Sequence, residues 1–83
     1  MDMRLVTLYA MIDAWGLEPK DDRLLYLRGT SQLADGEYKG YYPKFLGFGK
    51  SDKINSIGVV KKGELISWKR FNKYGDIQEY WDK

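Results

Sequence analysis

Three groupings of side chains in this sequence resemble parts of chemical sites. The first, Gly49-Lys50-Ser51, matches the end of a phosphate-binding loop. The full pattern needs a glycine five positions before Gly49, where Lys44 stands, and no helical run follows to converge backbone amides on a phosphate. A flexible polar turn is the better reading. The second, Glu37-Tyr38-Lys39 downstream of Pro19, Asp21 and Asp22, has the carboxylate-and-lysine layout of a Mg²⁺-dependent nuclease. There, carboxylates hold the metal and a lysine offsets charge at the attacked phosphate. The spacing is loose, and matches of this length arise commonly by chance.

The chain has neither histidine nor cysteine, which removes the commonest general base and the thiol nucleophile. A metal site would need all-oxygen ligands, and no clustered Asp/Asn/Glu loop resembles one. The sequence therefore points to a protein that is not an enzyme and needs no cofactor.

The third grouping interleaves aromatic and basic residues. Tyr38, Tyr41, Tyr42, Lys44, Phe45 and Phe48 precede a polar stretch; Lys61, Lys62, Trp68, Lys69, Arg70, Phe71, Lys73 and Tyr74 follow it. Charge is unevenly placed. Residues 37–75 carry nine basic and three acidic side chains, net +6, while residues 1–36 and 76–83 are each net −2. Tyr, Trp and Arg are the side chains that anchor protein interfaces. Rings that stack on bases beside lysines that meet phosphates also suit single-stranded nucleic acid. Strand alternation, however, sends Lys69 and Arg70 to opposite faces. The pI of about 8.8 also falls short of the usual footprint of nucleic-acid domains, above about 9. Protein binding thus stands ahead of nucleic-acid binding. The expected contact surface is Tyr41, Tyr42, Trp68, Arg70 and Tyr74, rimmed by Lys61, Lys62 and Lys73. Small size without catalytic residues fits an inhibitor of another protein, of the kind phages and mobile elements encode. A homo-oligomer joined through unpaired strand edges is a third class.

These residues need elements to position them. The spacing of Leu5, Leu8, Tyr9, Ile12 and Trp15 predicts a helix over Met3–Trp15, with Asp2 as N-cap. Gly16 stands at the left-handed C′ position, Leu17 is placed to touch Ile12, and Pro19 blocks continuation. Residues Arg23–Arg28 suit a strand ended by Gly29, although a short helix fits RLLYLR too. Ser31–Gly36 is a helical turn or loop, Glu37–Tyr42 a strand, Phe45–Phe48 a further strand, and Gly49–Ser56 a loop. From Ile57 to Trp81 the chain reads as a three-strand meander. Val59-Val60 lead into a turn at Lys61–Glu64, Leu65–Phe71 returns, and Asn72–Asp76 turns into Ile77–Trp81. In the middle strand, Ile66, Trp68 and Arg70 share one face.

The expected fold is α+β: one N-terminal helix packed on a mostly antiparallel sheet of four to five strands, with the sheet's other face open. Eighty-three residues make a single domain, burying only about 60–65% of the surface its unfolded chain exposes. The absence of cysteine, of a leader-like cleavage pattern and of a membrane-spanning run suggests a cytoplasmic protein without membrane contact.

Overall fold

The computed structural model describes residues 3–43 and 50–83. Helix α1 (Met3–Ala14) leads into a short hairpin of β1 (Leu17–Pro19) and β2 (Leu25–Leu27). Strands β3 (Gly36–Pro43), β4 (Lys50–Lys61), β5 (Glu64–Phe71) and β6 (Ile77–Asp82) follow. All pairings are antiparallel: β1 with β2, and β3-β4-β5-β6 as a four-stranded meander. The α+β class and the terminal three-strand meander are as expected. The small β1-β2 sheet is an addition.

The helix stops as its sequence dictates. Gly16 adopts φ 79°, its amide donates to the Asp13 carbonyl at 3.0 Å, and Leu17 is buried with Ile12 in one cluster. The buried stripe is Leu8, Met11, Ile12 and Trp15, whereas Tyr9, expected on that face, is 54% exposed. Leu17, Leu25 and Leu27 of the hairpin join the cluster from beside the helix, so the stripe that becomes buried includes position 11 and leaves position 9 in solvent. The N-cap assigned to Asp2 and the strand at Phe45–Phe48 lie outside the described residues.

Two further expectations change. The polar stretch Gly49–Ser56 is strand from Lys50 onward, with Pro43 opposite Lys50 and Tyr41 opposite Ile54. Ladder pairing with β3 overrides weak local propensity there. The strand at Arg23–Arg28 is trimmed to Leu25–Leu27, because Arg23 takes a left-handed φ of 66° in the turn before it. Residues 31–35 contain no helix. Leu33 bridges Tyr26, and buried Ala34 donates its amide to Leu25 while accepting from Gly63. Gly63 also gives its carbonyl to the Leu25 amide at 2.7 Å. Its φ of 82° and the lack of room for a Cβ beside Leu33 and Leu24 make glycine necessary where the two sheets meet.

Register fixes what each sheet face carries. Ser56, Gly58 and Val60 of β4 are buried on the helix side. Gly40, Tyr38 and Gly36 oppose them on β3, as do Arg70, Trp68 and Leu65 on β5. Leu65 shares that side with Trp68 because the register shifts between Val59 and Val60, leaving Ile66 as the extra residue. The regular alternation expected along this strand is therefore broken at its start, where Leu65 packs with Trp68 against the core. Trp15 is the bolt between helix and sheet. Its ring lies over Gly58 and against Gly40, and its indole N–H donates to Ser56 Oγ at 3.0 Å.

Candidate functional site

The sheet face turned away from α1 follows from the same pairings. In one row, Lys39, Ile57, Lys69 and Tyr80 lie side by side across the four strands. Glu37, Val59, Ser67 and Asp82 form the row beyond it. On the other side, two register shifts bring Tyr41 opposite Ile54 and Phe71 opposite Ile77. None of these apolar residues belongs to the core cluster. Ile54, Ile57, Val59 and Phe71 are half-buried, while Tyr41, Ile77 and Tyr80 are 45%, 52% and 70% exposed. The surface is thus banded: apolar and aromatic at one end, lysine-flanked in the middle, acidic at the other end. Lys39 and Glu37 stand 3.7 Å apart on the exposed surface, an arrangement that contributes little to stability.

Beside the apolar band, the β5–β6 turn encloses a cavity of about 360 Å³ lined by Ile54, Phe71, Lys53, Lys73 and Tyr74. Its shape comes from Asn72, whose side-chain oxygen accepts from the amides of Tyr74 and Asp76 at 2.8 and 3.0 Å. Gly75 takes φ 90° to close the turn.

The eight residues singled out from the sequence do not form one patch. Tyr41 lies on the open face. Tyr42 is half-buried and donates its hydroxyl to the Phe71 carbonyl, two strands away. Trp68 packs on the core from the helix side, opposite Trp81. Arg70 is on that same side and is ion-paired to Glu79, with its Nε lacking a partner among the described residues. Lys61 and Lys62 sit at the β4–β5 turn, and Lys73 and Tyr74 at the β5–β6 turn, at opposite ends of β5. In the latter, Lys73 Nζ lies 5.3 Å from the centre of the Tyr74 ring. Missed altogether were Ile54, Ile57, Ile77 and Tyr80. Alternation through Ile57-Gly58-Val59 was a readable signal for Ile57, but Ile54 stood in a stretch read as loop.

The carboxylate-and-lysine grouping is likewise divided. Glu37 and Lys39 lie on the open face, whereas Asp21 and Asp22 belong to the β1–β2 turn. Asp22 accepts from the Tyr26 hydroxyl and the Leu24 amide. These bonds, the tyrosine's first, hold its carboxyl below the ordinary value, and the same contact raises the Tyr26 hydroxyl. Among the described residues, no three acidic side chains gather as metal ligands would, and no helix is long and apolar enough to cross a membrane.

No protein-family model matches the chain, and no curated protein and no solved structure shows significant similarity to it.

Proposed function

We propose that the chain is a non-catalytic protein-binding module whose contact surface is the open face of the four-stranded sheet. The observation that carries this reading is the aliphatic centre of that face. The two inner strands carry Ile57, Val59 and Ile54, with Phe71 beside them, half-buried and outside the core cluster, with no second layer over them among the described residues. An antiparallel sheet normally clothes its solvent face in polar residues, and contiguous exposed apolar surface marks an interaction site. Lys39 and Lys69 flank Ile57 on either side, so the partner is a protein offering apolar side chains bordered by carboxylates. A binder of this kind, lacking chemistry of its own, would act by occupying its partner's surface, as an inhibitor does.

The arrangement favours this reading over nucleic-acid binding. A base-stacking platform needs rings where bases lie, but Tyr41 and Tyr80 sit on the two edge strands and the inner strands carry mainly aliphatic residues. The test compares the wild-type chain with Ile57→Asp and Lys69→Glu in affinity capture from lysate, alongside anisotropy titrations with labelled single-stranded DNA. A central apolar anchor contributes about 2 kcal/mol or more to binding, so Ile57→Asp should abolish capture of a partner the wild type retains, with melting little changed. Lys69→Glu should weaken capture less, as rim charges do. Capture indifferent to Ile57→Asp, or DNA binding that falls steeply with salt, would refute the assignment.

A further inference from the structure

On the helix side of the molecule the β1–β2 turn contains an unusual choice of residue. The Lys20 amide donates to the Leu24 carbonyl and the Arg23 amide to the Lys20 carbonyl, at 3.2 and 2.8 Å. That leaves Asp21, Asp22 and Arg23 as a three-residue loop whose last member has φ 66°. Glycine is the residue that such a left-handed position favours, because it has no Cβ to crowd the backbone. Here a long cationic side chain occupies it. The guanidinium of Arg23 makes no hydrogen bond or ion pair among the described residues, in contrast to Arg28, which binds Asp13, and Arg70, which binds Glu79.

Arg23 borders a cleft of about 350 Å³ between α1 and the sheets, walled by Leu8, Ile12, Leu25 and Leu65. Tyr9 and Lys20 also line it, as does Glu64, whose carboxylate is already neutralised by Lys83. The cleft therefore has an apolar wall, with Lys20 at its mouth bonded to the Thr30 carbonyl and the unengaged guanidinium of Arg23 beside Asp21 and Asp22 of the same loop. We propose that it binds a medium-chain aliphatic carboxylate, the tail lying along the leucines and the carboxylate meeting Arg23. Its volume is near the lower end of ligand pockets, roughly 300–1,000 Å³, which suits a chain of about ten carbons rather than a long one. A planar guanidinium matches a carboxylate through two parallel N–H donors. Burial of the methylenes supplies the affinity, and the charge selects the head group. This inference is independent of the open face, which lies on the other side of the sheet.

The experiment follows amide chemical shifts of Leu25, Gly63 and Leu65 while sodium decanoate is titrated below its micelle concentration. Decan-1-ol and decyltrimethylammonium serve as head-group controls. Decanoate should give saturable shifts at these amides, with decanol roughly tenfold weaker and the cation weaker still. Arg23→Gly should melt at the same or a higher temperature, since glycine relieves the left-handed backbone, while losing the preference for decanoate over decanol. Arg23→Asn, another residue that tolerates this conformation, should lose the preference as well. The proposal is overturned by an absence of saturable shifts, by decyltrimethylammonium binding as well as decanoate, or by either variant keeping the wild-type preference.

Discussion

Gly58→Ala tests the helix-to-sheet joint most directly. A methyl group at Gly58 would lie 2.3 Å from Trp15 Cη2, 2.5 Å from Cζ3 and 2.7 Å from Cζ2. Those atoms belong to a rigid ring that is itself 7% exposed, so the clash cannot be relieved by a small rotation. Overpacking of this kind costs about 1–3 kcal/mol. Moving the indole also breaks its bond to Ser56 Oγ, and Ser56 is fully buried, so an unsatisfied polar group adds about 1–3 kcal/mol. Restricting the unfolded chain returns about 0.4–1 kcal/mol, leaving a net loss of roughly 2–4 kcal/mol. For a domain of this size each kcal/mol moves the midpoint by about 4–8 °C, so Tm should fall by roughly 10–25 °C. Thermal melting followed by far-UV circular dichroism and tryptophan fluorescence measures it. Combining Gly58→Ala with Trp15→Leu should cost less than the sum of the two single changes, because the clash and the bond are shared. A single variant melting with the wild type would show that Trp15 does not lie over Gly58.

Other predictions rest on single contacts. Lys62 at φ 48° precedes Gly63 at φ 82° in a two-residue hairpin turn of the type that favours Asn-Gly; Lys62→Asn should therefore raise stability by about 0.5 kcal/mol in denaturant titrations. Asp22 should titrate below its ordinary 3.8 in a carbon-detected pH series, so its contribution is present above that pH and lost as pH falls through the lowered folded value. Tyr26, raised above 10.0, contributes below that pH, and its contribution is lost as pH rises through the raised folded value. Tyr26→Phe should return the Asp22 titration toward 3.8; an unmoved Asp22 would mean the hydroxyl is not its main partner.

The elements that the sequence disclosed are those with local determinants. Gly16 before Leu17 and Pro19 ended the helix, and the two expected turns, Lys61–Glu64 and Asn72–Asp76, each contain a glycine, Gly63 and Gly75, that takes a positive φ. What stayed hidden depended on partners distant in sequence. Trp15 looked like one more apolar helix position, and nothing near it announced that Gly40, Ser56 and Gly58 form its seat. The hairpin of β1 and β2 was obscured because each strand has only three residues, too short to show alternation. The lysine- and serine-rich start of β4 becomes strand through its pairing with β3, which no local propensity encodes.

The composition of the open face was illegible for a different reason. A strand's side-chain period is two, so a single extra residue moves every later side chain to the other face. Four register shifts interrupt the sheet, between Gly40 and Tyr41, Tyr41 and Pro43, Val59 and Val60, and Arg70 and Phe71. The shift near Val60 leaves Ile66 as the extra residue and keeps Leu65 with Trp68 in the core. That near Phe71 brings Ile77, rather than Gln78, opposite the ring on the open side. The aromatic and basic residues that are most conspicuous in the sequence are thereby divided: Trp68 and Arg70 serve the helix side, and Lys69 serves the exposed one. The apolar centre instead falls to plain aliphatic residues that any core would be expected to absorb. They remain outside the core because α1 and the β1-β2 hairpin pack on the same side, so that among the described residues one face of the sheet is covered by other elements and the other is not.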